Sequence, residues 1–206
     1  MRRAGSIFTA IILLCGLPLV ASPSASAAQG LTCSFGAIEL SVHNPPWDSN
    51  PSHLKVIDIK DYSRAARAVA YLWHKRFEGQ DKGPTVCNQR WRVEPTGHLV
   101  DGHRLVRFVN DNSGMCLDES MDRPAYYGTP VYQYPCTGAP NQSWEIVEPL
   151  DAGGFGRLRN DWEIQTRADA LDAECLDVDG PWFQDGAILH MWGCGASWSQ
   201  LWNVQP

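Results

Sequence analysis

The amino-acid sequence predicts an all-β fold of three repeated units, and three observations predict it. The motif Gln-x-Trp occurs at Gln89–Trp91, Gln142–Trp144 and Gln200–Trp202, with its tryptophans 53 and 58 residues apart. The stretches between these motifs hold short β-branched and aromatic runs bounded by Gly, Pro, Asn and Asp, which read as strands and turns. The cysteines fall into local pairs at matching places in two of the units. Self-similarity at a period of about 50 residues marks an architecture in which no unit buries its apolar face alone.

Residues 1–28 read as a secretory leader. Arg2 and Arg3 form a positive start, Ile7 to Val20 is mostly apolar but short for a bilayer span, and Ala21 to Ala28 is a small-residue run with two candidate cleavage points, after Ala27 or after Ala28. Cys15 lies within the apolar stretch and leaves with the leader. The remaining 178 residues suit one domain, with no later stretch able to cross a membrane. The formal charge of −6 becomes −8 once two arginines leave with the leader. An acidic chain is a poor match for phosphate backbones, so nucleic acid is excluded as a partner. The longest basic run, His74-Lys75-Arg76, reads as a solvated loop.

Six cysteines follow the leader: Cys33, Cys87, Cys116, Cys136, Cys175 and Cys194. An even count behind a leader indicates disulfides made in an oxidising compartment. Spacing pairs Cys116 with Cys136 and Cys175 with Cys194, leaving Cys33 with Cys87. Loop closure gives each short bridge about 3 kcal/mol and the long one about 4 kcal/mol. No CxxC or HxxxH pair is present, so neither a metal nor another cofactor is expected.

The second and third units align directly. Cys116-Leu117-Asp118 is followed by a Gly-led run from Gly128 through Tyr132 and Tyr134 to Cys136, then by Asn141-Gln142-Ser143-Trp144. Cys175-Leu176-Asp177 is followed by a run from Gly186 through His190 and Trp192 to Cys194, then by Ser199-Gln200-Leu201-Trp202. The first unit is a worn copy. It keeps Val56-Ile57-Asp58, Tyr71 and Trp73, and Asn88-Gln89-Arg90-Trp91, but Val56 and Lys75 stand where the bridging cysteines would be. Strands are expected near Arg104–Asn110, Val131–Tyr134, Arg157–Arg159 and Ile188–Trp192. One stretch conflicts: 61–77 has apolar residues at helical spacing and Ser63 as a cap, whereas the repeat register asks for a strand near Ala68–Trp73. The register takes precedence, because the flanking motifs fall in step.

Three Gln-x-Trp motifs at about 50-residue spacing, two of them in register with Cys-Leu-Asp and an intra-unit cysteine pair, resemble the ricin-B type lectins, over roughly residues 38–206. The resemblance implies a β-trefoil of twelve strands with repeats at about 38–97, 98–150 and 151–206, behind an extension at 29–37. It also implies carbohydrate as the partner, with shallow galactose-type sites that combine a carboxylate for vicinal hydroxyls, a ring for the sugar's C–H face and an amide. In the second repeat these are Asp118, Tyr134 and Asn141, with Gln142 steadying the aspartate and Tyr132 lining the pocket. In the third they are Asp177, Trp192, His190 and Gln200, with Ser199 where asparagine is expected. In the first they are Asp58, Trp73, Tyr71, Asn88 and Gln89, beside a longer connection from Trp73 to Asn88. The motif tryptophans read as core anchors.

Other motifs carry less. Asp177-Val178-Asp179-Gly180 resembles the start of a calcium loop, but Ile188 stands where its glutamate is required, so it reads as a turn. Asn141-Gln142-Ser143 matches a glycosylation sequon, yet Asn141 reads as a pocket residue. No nucleophile elbow, His-Glu-x-x-His or phosphate loop is present, so the chain reads as a secreted non-enzyme. A protein-binding or toxin-targeting subunit is the second possibility, since the first repeat is worn, Ser199 departs from the pattern, and Gln29–Trp47 lies partly outside the repeat register and could reach a partner.

Overall fold

The computed structural model describes residues 33–42, 54–77, 85–100, 102–122, 127–147, 155–160, 174–180, 183–195 and 197–204. The expected leader, Cys15 and part of the connection from Trp73 to Asn88 lie outside them. The described residues form twelve strands and short 3-10 turns: β1 (Ser41–Val42), β2 (Lys55–Ile59), β3 (Ala70–His74), β4 (Trp91–Val100), β5 (His103–Asn110), β6 (Cys116–Glu119), β7 (Thr129–Tyr134), β8 (Trp144–Val147), β9 (Phe155–Asn160), β10 (Glu174–Val178), β11 (Leu189–Gly193) and β12 (Trp202–Asn203). The contested stretch 61–77 ends in strand β3, preceded by a 3-10 turn at Lys60–Tyr62. Tertiary pairing there outweighs the helical spacing.

Each repeat supplies four strands. The first and fourth of each build a closed antiparallel barrel, through the pairs β1–β12, β4–β5, β5–β8, β8–β9 and β9–β12 and the bridge from Ile38 to Trp91. The register repeats with the fold. Val106 and Asn110 of β5 face Trp144 and Trp91, and Gly156 and Asn160 of β9 face Trp202 and Trp144. Each motif tryptophan therefore touches two repeats. The segment that begins at Ile38 is part of this barrel, since Ile38, Leu40 and Val42 are buried. That agrees with a repeat register that opens at residue 38, and residues 29–32 and 43–47 of the segment expected to reach a partner lie outside the described residues.

The second and third strands of each repeat form hairpins β2–β3, β6–β7 and β10–β11, which cap one end of the barrel as a triangle. Their corners are stitched by one kind of bond. The backbone N–H groups of Arg67, Gly128 and Gly186 donate to the carbonyls of Gln133, Met191 and Leu72, each in another repeat, at 2.7, 2.8 and 2.8 Å. All three donors have positive φ, at 65, 87 and 87°. Glycine meets that demand without strain, and Arg67, which carries a side chain there, is held by a two-pronged ion pair to Asp122 at 2.5 and 3.0 Å.

The core is built from threes. Trp91, Trp144 and Trp202 are fully buried, as are Ile57, Leu117 and Leu176, and Leu40, Phe108 and Leu158. The indole N–H groups of the three tryptophans donate to the carbonyls of Ile57, Leu117 and Leu176 at 3.2, 3.1 and 2.9 Å. Burying the ring and satisfying that carbonyl is one act, which is why tryptophan alone serves. All three disulfides form as the spacing predicts. In the first repeat the bridge moves from the hairpin to Cys87, directly before Asn88, and ties that turn to Cys33. Replacing Trp144 by alanine should cost about 3–5 kcal/mol in denaturant unfolding, because the cavity opens where two repeats meet. A loss under 1 kcal/mol would mean that the ring is not a shared anchor.

Candidate functional site

Strand pairing puts the expected site residues on one face of each hairpin. Asp58 lies opposite Tyr71, Asp118 opposite Tyr132 and Asp177 opposite His190. Two residues further along, Trp73, Tyr134 and Trp192 lie opposite Val56, Cys116 and Cys175. Side chains alternate along a strand, so each aspartate shares its face with two rings.

A glutamine fixes each carboxylate. The Gln-x-Trp motifs start on 3-10 turns at Cys87–Gln89, Pro140–Gln142 and Trp198–Gln200. The amide nitrogens of Gln89, Gln142 and Gln200 donate to Asp58, Asp118 and Asp177 at 2.8, 2.7 and 2.9 Å. They also donate to the carbonyls of His74, Pro135 and Gly193 at 3.0, 2.9 and 2.9 Å. The glutamine carbonyls accept the backbone N–H groups of Arg76, Thr137 and Gly195 at 2.9, 2.7 and 2.8 Å. One side chain thus joins the end of the hairpin to its aspartate in every repeat.

The three sites differ in what else reaches the carboxylate. In the second repeat Asp118 is 2 % exposed and its Oδ1 receives no hydrogen bond from the described residues. Burial pushes its carboxyl up to about 6, against the opposing pull of Gln142, Asn141, Tyr132 and Arg67. Asn141 and Tyr132 favour the charged form, and the Asn141 amide donates one N–H to the Glu119 carbonyl at 2.9 Å. Tyr134 is half-buried, while Tyr132 is buried beneath the Arg67 guanidinium, 5.7 Å from its ring centre. Asn141 is also buried, which places the sequon asparagine away from solvent.

In the third repeat Asp177 is 6 % exposed and also takes the Val178 N–H at 2.7 Å. Among the described residues neither Asp118 nor Asp177 has an ion-pair partner. Trp192 is 46 % exposed, stacked with His190 at 5.4 Å and tilted against Tyr127 at 5.0 Å. Ser199 shares a hydrogen bond with Ser197 at 2.5 Å and is half-buried. Strand β10 ends at Val178, and Asp179 and Gly180 bend the chain, as the turn reading expects.

The first site is filled. Asp58 is fully buried and accepts the Arg76 guanidinium at 2.6 Å, the Asn88 amide at 2.7 Å and the Gln89 amide. Burial raises its carboxyl to about 6, with Arg76, Gln89, Asn88 and Tyr71 opposing. Arg76 is itself 6 % exposed, and its guanidinium lies 4.4 Å from the Tyr62 ring centre and 6.0 Å from that of Trp73. This corrects the reading of His74-Lys75-Arg76 as a solvated loop: a buried carboxylate draws the third residue inward. Arg76, Tyr62, Arg67 and Tyr127 are the site residues that the sequence reading missed. For Tyr127 a usable signal existed, an aromatic beside the strand-leading Gly128.

The comparisons agree with this fold. The sequence model of one family, described as ricin-type beta-trefoil lectin domain-like, matches residues 87–192. A designed protein of three-fold symmetry, ThreeFoil, is 23 % identical with a TM-score of 0.58, over 80 % of this chain and 95 % of its own. An exo-β-1,3-galactanase of Clostridium thermocellum is 20 % identical with a TM-score of 0.58, over 84 % of this chain and 30 % of its own. The Rhizoctonia solani agglutinin is 16 % identical with a TM-score of 0.53, over 84 % of this chain and 97 % of its own. At these identities the likeness is one of fold, a β-trefoil. No curated protein matches the chain. Among the described residues no helix is long and apolar enough to cross a membrane.

Because its folded value lies above that of an unfolded aspartate, the Asp118 carboxyl favours the native state in its protonated form. Its contribution is present at low pH and lost as pH rises through about 6. Carboxyl-carbon NMR on the free protein should show Asp118 titrating near 6. A midpoint near 4, the ordinary aspartate value, would refute the burial argument.

Proposed function

We propose, because the chain belongs to the ricin-type beta-trefoil lectin domain-like family, that it is a secreted, non-catalytic lectin for galactose-type or related sugars on glycans or polysaccharides. One observation carries the reading. In the second and third repeats, a carboxylate held by glutamine and without an ion-pair partner among the described residues shares a hairpin face with a ring that solvent reaches. A carboxylate accepts hydroxyl donors through charge-assisted bonds, and a ring covers a sugar's apolar face. The second site comprises Asp118, Tyr132, Tyr134, Asn141 and Gln142, and the third Asp177, His190, Trp192, Ser199 and Gln200.

Three disulfides suit an oxidising compartment, which supports secretion. The chain spans only 30 % of the galactanase, whose activity is that protein's own. A lone shallow site binds at about 1 mM, roughly −4 kcal/mol. Sites on one rigid body raise avidity for a multivalent glycan by about 10² to 10⁴.

A glycan and polysaccharide array tests the reading. The folded Asp118→Ala/Asp177→Ala variant should bind at least about tenfold more weakly than the native protein, since each change removes a charged acceptor. Unchanged binding would sink the proposal, and a blank array from native protein would turn the search to a protein partner. Affinity should also fall as pH drops through about 6, where Asp118 gains its proton and ceases to be a charged acceptor. Titration calorimetry that gives one affinity from pH 7.5 to 5 would argue against Asp118 as the acceptor.

A further inference from the structure

We propose that Arg76 is a built-in substitute for the sugar in the first repeat, so that the protein presents two sugar sites and holds the third latent. The inference rests on the lectin reading and goes further, to the number of working sites and the residue that sets it.

The clamp makes the three repeats comparable position by position. The residue whose backbone N–H donates to the motif glutamine is Arg76 in the first repeat, Thr137 in the second and Gly195 in the third. Thr137 and Gly195 are exposed, and neither carries a group long enough to fill the space over the aspartate. Arg76 does fill it. One guanidinium nitrogen donates to Asp58 Oδ2 at 2.6 Å, another to Asn88 Oδ1 at 3.4 Å, and the guanidinium carbon lies 4.4 Å from the Tyr62 ring centre and 6.0 Å from that of Trp73. Carboxylate, amide and ring are the three elements a pyranose would use. A guanidinium is planar, carries donors around its edge and stacks on rings, so it engages all three together. Being part of the chain, it loses no translational freedom on binding, which a millimolar sugar cannot match. Replacing Arg76 by a small residue should expose Asp58, Asn88 and Trp73 to a neutral pyranose with vicinal hydroxyls.

The test is a ¹⁵N–¹H titration with methyl β-galactoside, reading the amides of residues 76, 137 and 195 as one reporter per repeat. In native protein residues 137 and 195 should shift and residue 76 should not. Arg76→Thr, which installs the second repeat's residue, should make the first repeat respond. Because removing a buried ion-pair partner endangers folding, the reciprocal variant Thr137→Arg carries the same test at an exposed position. It should weaken the second-repeat response at least tenfold and leave the third unchanged. Sugar-induced shifts around residue 76 in native protein would overturn the inference. So would a Thr137→Arg protein whose second repeat still responds, or a folded Arg76→Thr protein with a silent first repeat. No response from any repeat of native protein would overturn the galactose-type reading and this inference with it.

Discussion

Much of the structure depends on one primary amide used three times. Each motif glutamine accepts a backbone N–H from the end of a hairpin and donates both to an aspartate and to a backbone carbonyl at that end. Its neighbour two residues on closes the same knot from below, as the tryptophan ring seals the core and its N–H satisfies the carbonyl just before that aspartate. The aspartate is therefore gripped on its side chain and braced through the backbone beside it. A buried polar group needs its partners, and here the partners also give the fold its repeat. The binding face and the core are two sides of the same knot.

The parts legible in the sequence were those with short reach. The aspartates, the rings and the Gln-x-Trp motifs recur at matching spacings, so the repeat register together with the family resemblance put Asp58, Asp118 and Asp177 with their rings. Arg76 was illegible for a physical reason. A long flexible cation next to His74 and Lys75 reads as solvated, and only the carboxylate brought near by folding turns it inward. Arg67 hid in the same way, standing at the place that Gly128 and Gly186 hold in the other repeats. The helical spacing of 61–77 misled because Ala68, Val69 and Leu72 serve contacts in three directions around the triangular cap, not along one stripe.

Loss of symmetry has been local and compensated. The first repeat lacks the hairpin disulfide, and Lys75 and Arg90 instead pair with Glu39 at 2.7 and 3.0 Å, while Cys33–Cys87 staples the turn that carries Asn88 and Gln89. The second and third repeats keep the bridge at the hairpin, close to the exposed positions 137 and 195. The divergence gathers around one aspartate and leaves the barrel register as it is in the other two repeats.

The pairing of β1 with β12 has a consequence for how the molecule is made. Ser41 and Val42 meet Asn203 and Trp202, so the first barrel strand waits for the last. During vectorial synthesis the barrel stays open until β12 has emerged, and the edge of β1 that faces it stays unpaired until then.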